Sequence, residues 1–170
     1  MAPEEFEHAV RLMLDEATTM TLATCIGAIP WATDVYFAAD GFDLAFYSSP
    51  NSRHCHNLAG NAACAATIHR QVSSWRDIKG IQMEGHAEPV ITLEGKASAL
   101  AAYLRKFPFA QELFSNPIES AQAFSKAALY VFRPSRLYYL DNSLGFGTRY
   151  HANFKQGLMD GLPLRDKGGQ

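Results

Sequence analysis

Apolar residues recur every three or four positions at the start of the chain. Phe6, Ala9, Val10, Met13 and Leu14 form one stripe, which predicts an amphipathic helix over residues 3–17. Pro3 suits a first helical position, and Glu4 and Glu5 stand near the positive end of that helix's dipole. At residue 19 the period drops to two. TMTLATCI (19–26), PWATDVYFAA (30–39) and DLAFYSS (43–49) are rich in β-branched and aromatic residues, and Gly27-Ala28 and Asp40-Gly41 mark tight turns between them. Strands joined so closely predict an antiparallel meander.

Residues 50–60 combine turn formers with a short helical pattern, and residues 61–69 return to strand. IKGIQMEGHAEPVITL (78–93) predicts a long strand, with Gly85 at a bulge or bend. Residues 94–126 switch to Ala and Leu at helical spacing, broken at Pro108 and Pro117. Leu100, Tyr103, Leu104 and Phe107 there read as core or dimer packing. AALYVFRPSRLYYL (127–140) predicts the last strand, with Pro134 at an edge or a bulge, and the segment from residue 156 on reads as a flexible tail. Six or so antiparallel strands with flanking helices imply an α+β fold, a small barrel with helices at its ends.

Composition narrows the partners. The 170 residues carry a net charge of −2 and no long basic run, which argues against duplex nucleic acid. The three cysteines, Cys25, Cys55 and Cys64, are odd in number and lack C-x-x-C spacing, so a reducing cytoplasm is expected rather than a disulfide framework. The acidic, amphipathic N-terminus does not read as a signal peptide, and no apolar run approaches the roughly 20 residues of a membrane helix.

The segment FYSSPNSRHCHNLAGNAACAATI (46–68) carries the clearest chemistry. A strand ends at Tyr47-Ser48-Ser49, Pro50 stops it, and Asn51 or Ser52 caps the helix that follows. The first turn of that helix presents N–H groups to an anion, joined by the Ser52 hydroxyl, the forked cation of Arg53 and the ring of His54. This set suits a phosphate monoester; the same residues also describe a capped surface helix with a solvated arginine.

The ordered set Phe46-Tyr47-Ser48, Ser52-Arg53-His54, Leu58 and Asn61 resembles the pyridoxamine 5′-phosphate oxidase-like FMN-binding split barrels, in which an aromatic strand end, a Ser-Arg-Lys turn, a Leu and an Asn follow one another. GAIPWATDVYFAADGFDLAFY resembles the two strands that line the flavin, IKGIQMEGHAEPV the long strand after the helix, and DNSLGFGTR the end of a smaller branch of the family. The resemblance covers residues 19–90 and 129–149. It implies an antiparallel six-stranded split β-barrel with flanking helices. The FMN-binding domain would span residues 1–155, with residues 94–126 as a helical insertion and 156–170 as the tail.

The resemblance also implies roles. Thr33, Asp34 and Val35 would lie along the isoalloxazine and ribityl chain, partly through backbone atoms. Tyr47 and Ser48 would sit near ribityl and phosphate, and Ser52, Arg53 and His54 would hold the phosphate. Gly80 and Gln82 share one strand face, and Gly80 would let the backbone approach the cofactor. Asn142 and Arg149 would reach the flavin of a partner subunit in a homodimer with the cofactor at its interface. His54 stands where the family commonly has Lys, and the oxidase's Arg-x-His substrate clamp has no counterpart, which argues against the strict oxidase. The expectation is an FMN-dependent oxidoreductase acting on a small molecule or NAD(P)H, with no particular catalytic residue named. Alternatives are a flavin- or haem-binding carrier or sensor, with His69, His86 and His151 available to haem, and a structural dimer without cofactor.

Other clusters read more plainly. His54, Cys55 and His56 diverge around a helix, so no metal is expected. Trp31 and Trp75 read as packing residues, and Cys55 and Cys64 lack a neighbouring base motif for nucleophilic catalysis.

Overall fold

The computed structural model describes residues 1–110 and 126–166. The chain runs α1 (Pro3–Glu16), β1 (Thr19–Ile26), β2 (Ile29–Asp40), β3 (Asp43–Ser48), α2 (Arg53–Gly60), β4 (Ala63–His69), β5 (Lys79–Pro89), α3 (Leu93–Lys106), β6 (Ala128–Asp141), β7 (Arg149–Lys155) and β8 (Leu158–Asp166). Short 3₁₀ turns lie at Trp75–Asp77 and Asn142–Leu144. Among the described residues no helix is long and apolar enough to cross a membrane.

The strands form one antiparallel sheet in the order β3-β2-β1-β4-β5-β6-β7-β8, and β3 also pairs with β6. That second pairing closes the first six strands into a ring. The long β6 then parts from β3 and takes up β7 along its C-terminal half. Among the described residues the sheet therefore has eight strands, which corrects the expectation of six. The hairpin β7–β8 also corrects the flexible tail: Leu158–Asp166 is ordered as a strand, and only residues 167–170 of that segment lie outside the described residues. Two features hid this hairpin. Gly161 and Pro163 interrupt the alternation of β8, and a proline is tolerated there because β8 is the sheet edge. Its turn is Gln156-Gly157, both at positive φ (52° and 74°), which suits a two-residue hairpin without an Asn-Gly signature.

The interior of the ring is aromatic and aliphatic. Phe37, Phe46, Phe132, Leu22, Leu44, Ile81 and Leu137 are fully buried, and α1 covers one side with Phe6, Val10, Met13 and Leu14. Burying each Phe or Leu side chain contributes about 1.5–3 kcal/mol. Gly85 lies at a register shift opposite Pro134, and a Cβ there would meet the Arg133 carbonyl oxygen at 2.2 Å. The bulge thus lets β6 carry a proline inside the sheet. β5 ends at Pro89, short of the predicted strand end. Thr92 Oγ1 accepts the Gly95 N–H at 3.2 Å and starts α3 one residue before the expected helix. α3 packs outside the ring against Ala38, Ala45 and Leu129, forming a second core around Tyr103 and Phe107. The expected break at Pro117 falls outside the described residues.

Candidate functional site

The stretch from Tyr47 to Asn61 folds as its caps dictate. Ser52 has extended backbone, and its Oγ accepts the Cys55 N–H at 3.4 Å while its carbonyl accepts the His56 N–H at 3.0 Å. The N–H groups of Arg53 and His54 then stand at the open helix start, where the dipole is positive. At the far end Asn61 closes α2. Its Nδ2 donates to Cys25 O at 3.1 Å and its Oδ1 accepts the Ala63 N–H at 3.1 Å, tying the helix to β1 and β4. Leu58 and Cys55 are buried, and Asn57 Nδ2 donates to the buried Thr24 Oγ1 at 3.0 Å. The helix is therefore fixed against the barrel, and its first turn cannot drift.

At the start of α2 the His54 ring is 8% exposed, and its Nε2 is hydrogen-bonded to Ser48 Oγ at 2.5 Å and to Ser52 Oγ at 3.1 Å. Burial holds the imidazole below its ordinary 6.5, so near neutral pH it carries no charge. Arg53 is exposed, with its guanidinium 4.3 Å from the centre of the Trp31 ring and no carboxylate partner among the described residues. The mouth thus combines one fixed cation, two hydroxyls, two amide donors and a neutral histidine.

The structure places Trp31 and Thr33 on the same face of β2, in register with Thr24 and Leu22 of β1. Val35, next on that face, is 7% exposed and belongs to the core, and its backbone pairs with Met20 of β1. β2 pairs with β1 over residues 29–36 and with β3 only over residues 37–40. Beside Thr33, Asp34 and Val35 the strand therefore turns one edge away from β3.

The other predicted residues lie elsewhere. Asp34, Thr21, Thr67, Gln82 and Tyr138 form one register row across the outside of the sheet, and Thr21 Oγ1 donates to Asp34 Oδ1 at 2.6 Å. Beside the row a shallow groove of about 320 Å³ is floored by Ala23, Ala65 and Thr67. Gly80 sits two residues before Gln82, and a Cβ there would lie 3.4 Å from Ile68 O. Arg149 is bound into this outer face. Its Nη1 donates to Gln82 Oε1 at 3.1 Å, its Nε donates to Asp166 Oδ2 at 2.7 Å, and its guanidinium stands 5.1 Å from the Tyr138 ring centre. Asn142 is buried, donating from Nδ2 to Trp75 O at 2.7 Å and accepting the Gly147 N–H at 2.9 Å.

The structure therefore gathers Ser48, Ser52, Arg53 and His54 at one mouth. Gln82 and Arg149 meet on the outer face, and Asn142 serves as a pin between loops. Trp31, read from sequence as packing, stacks on Arg53. Its period-two spacing to Thr33 was the available signal. His54 and Cys55 are buried and His56 is exposed, as their divergence around the helix requires.

The model of the family described as Pyridoxamine 5′-phosphate oxidase matches residues 6–141. The UPF0306 protein YhbP of Escherichia coli O157:H7 is 31% identical over 123 residues, covering 70% of this chain and 74% of that protein. Among solved structures, the heme binding protein from Mycobacterium smegmatis superposes with a TM-score of 0.64 at 22% identity, over 83% of this chain. The chain spans 55% of that protein's length. The conserved hypothetical protein Rv2991 from Mycobacterium tuberculosis superposes with a TM-score of 0.67 at 20% identity, over 82% of this chain and 87% of that one. At these identities the two structures share a fold with this chain.

Proposed function

The chain belongs to the pyridoxamine 5′-phosphate oxidase family, and we propose that it binds FMN, with the phosphate held at the start of α2. The observation that carries this reading is the mouth itself. A guanidinium without a carboxylate partner among the described residues, two serine hydroxyls and two helix-start amides converge where a phosphate would be neutralised and hydrogen-bonded. The donor set fits a phosphate monoester. A lysine commonly fills the position of His54 in the family, so here Arg53 supplies the only fixed charge of the turn. Of Thr33, Asp34 and Val35, Asp34 turns its backbone groups away from β1, toward the free β2 edge, where they are offered to the rest of the molecule. Bound FMN would supply two-electron redox chemistry. The protein's part is to orient the ring and exclude water. The proposed activity is that of a flavin-dependent oxidoreductase with a small-molecule substrate or NAD(P)H as electron donor.

The same reading includes a homodimer. The outer face presents Ala23, Ala32 and Ala65 beside Gln82, and β8 exposes Leu158, Leu162 and Leu164. A second copy covering these faces would enclose a cofactor that one chain leaves open. An absorbance spectrum of the purified protein, before and after addition of FMN, tests the proposal. Flavin bands that stay with the protein through gel filtration are expected. An intense Soret band would replace FMN by haem, and a colourless protein that ignores added FMN would overturn cofactor binding.

A further inference from the structure

A side chain is spliced into the ladder between β2 and β3. Pairing starts at Asp40 with Asp43 and ends at Phe37 with Phe46. Hydrogen-bonded and non-bonded pairs alternate in an antiparallel ladder, and the two-residue turn makes Asp40–Asp43 a bonded pair. The next bonded pair after Phe37–Phe46 would be Tyr36 with Tyr47. There the Tyr103 phenol of α3 stands between the strands instead. Its Oη donates to Tyr36 O at 2.6 Å and accepts the Tyr47 N–H at 3.3 Å. One hydroxyl thus satisfies both backbone groups while keeping them too far apart to bond directly.

The wedge is firmly held. Tyr103 is 6% exposed, and its ring packs against Tyr47 and Phe107 at centroid distances of 5.0 and 5.3 Å. Burial pushes its phenol well above the ordinary 10, so the proton that bridges to Tyr36 stays in place at physiological pH. Both strands lead from the wedge directly to the mouth. Ser48, hydrogen-bonded to His54, follows Tyr47. Thr33 lies three residues before Tyr36, and Trp31, stacked on Arg53, two before that.

We propose that Tyr103 is a positioning residue for the mouth: its hydroxyl, inserted between Tyr36 O and Tyr47 N–H, holds β2 and β3 apart and fixes where Ser48 stands against His54. Its effect on FMN rests on the phosphate reading above. Its effect on Tyr47 and His54 does not.

Tyr103→Phe keeps the packed ring and deletes the bridge, and Ala102→Gly on the same helix is the control for a plain loss of helix stability. In Tyr103→Phe the Tyr47 amide is expected to exchange with solvent at least about tenfold faster than in the wild type, relative to amides elsewhere in β3. The His54 ring resonances and their titration should also move, and FMN should bind about tenfold more weakly. In Ala102→Gly the His54 titration should stay where it is. Unchanged Tyr47 exchange and His54 titration in Tyr103→Phe would overturn the proposal, as would equal His54 shifts in both variants. If neither wild type nor variant binds FMN, the cofactor reading falls while the two NMR signatures still decide the role of Tyr103. Should Tyr103→Phe fail to fold, the wild type decides it. A slowly exchanging Tyr103 hydroxyl proton close to the Tyr47 amide is expected, and a rapidly exchanging one contradicts the wedge.

Discussion

The mouth at α2 and the corner where β6 meets β7 contain residues of the same kinds, yet they use them in opposite ways. At the corner every strong donor is spent. Asn142 links Trp75 O to the Gly147 amide, and Arg149 is held by Asp166, Gln82 and the Tyr138 ring. Asp141 takes the Tyr139 hydroxyl at 3.1 Å, the Ser143 hydroxyl at 2.5 Å, Lys79 at 2.9 Å and the Ser143 amide at 2.9 Å; burial alone would raise its carboxyl, and Ser143 and Lys79 hold it below the ordinary value. At the mouth, Arg53 has only the face of Trp31 among the described residues, and two helix-start amides point outward. A saturated cluster builds the fold, whereas an unsaturated one is prepared for something that is not the chain itself. The corner residues that the family pattern assigns to cofactor thus serve the architecture of the single chain, and the proposed binding rests on the mouth.

Asn142→Ala should have the largest effect. It deletes both bonds that pin the Trp75 and Gly147 backbones and empties a buried side-chain site, and the stability measured by urea unfolding should fall by about 2–4 kcal/mol. A loss below about 0.5 kcal/mol would blur the contrast. Arg53→Ala should do the reverse. Stability stays within about 0.5 kcal/mol. Titrated FMN binds more weakly by about 1.5–3 kcal/mol, roughly ten- to over a hundredfold, while riboflavin is unaffected. Trp31→Leu removes the surface that aims the guanidinium and should weaken FMN by about 0.5–1 kcal/mol, read in the same titration.

The smallest effect concerns pH. Because burial lowers the pKa of His54 in the folded chain, the unfolded chain binds more protons in the interval below 6.5. Stability should therefore decline as pH falls through that interval, and His54→Gln should remove this part of the decline. FMN should favour the protonated ring and bind more tightly on acidification, partly offset as its own phosphate takes up a proton near about 6. A wild-type affinity profile that matches that of His54→Gln would show that the ring faces only Ser48 and Ser52.

Much of this was legible in the chain. The stripe Phe6–Val10–Met13 fixed α1, the Asp40-Gly41 turn fixed the β2–β3 hairpin, and Ser52 marked the start of α2, because each signal acts over one or two turns. The β7–β8 hairpin was not legible, since β8 gains its order by adding to an existing edge and not from its own pattern. Of the candidate site, Ser52, Arg53 and His54 share a turn and were found together. The commitments of Asn142 to Trp75 and of Arg149 to Asp166 are contacts between distant elements, to which no local spacing points. The Tyr103 bridge was hidden for the same reason: at its spacing a tyrosine on α3 is one more packing residue until the β2–β3 gap is seen.

A paired titration of FMN and riboflavin with the wild-type protein, followed by quenching of flavin fluorescence, tests the central claim most directly. The two ligands differ only in the phosphate. Binding at the start of α2 predicts FMN at least about tenfold tighter than riboflavin, the worth of one charge-assisted contact. Equal affinities, or no binding of either, would contradict it.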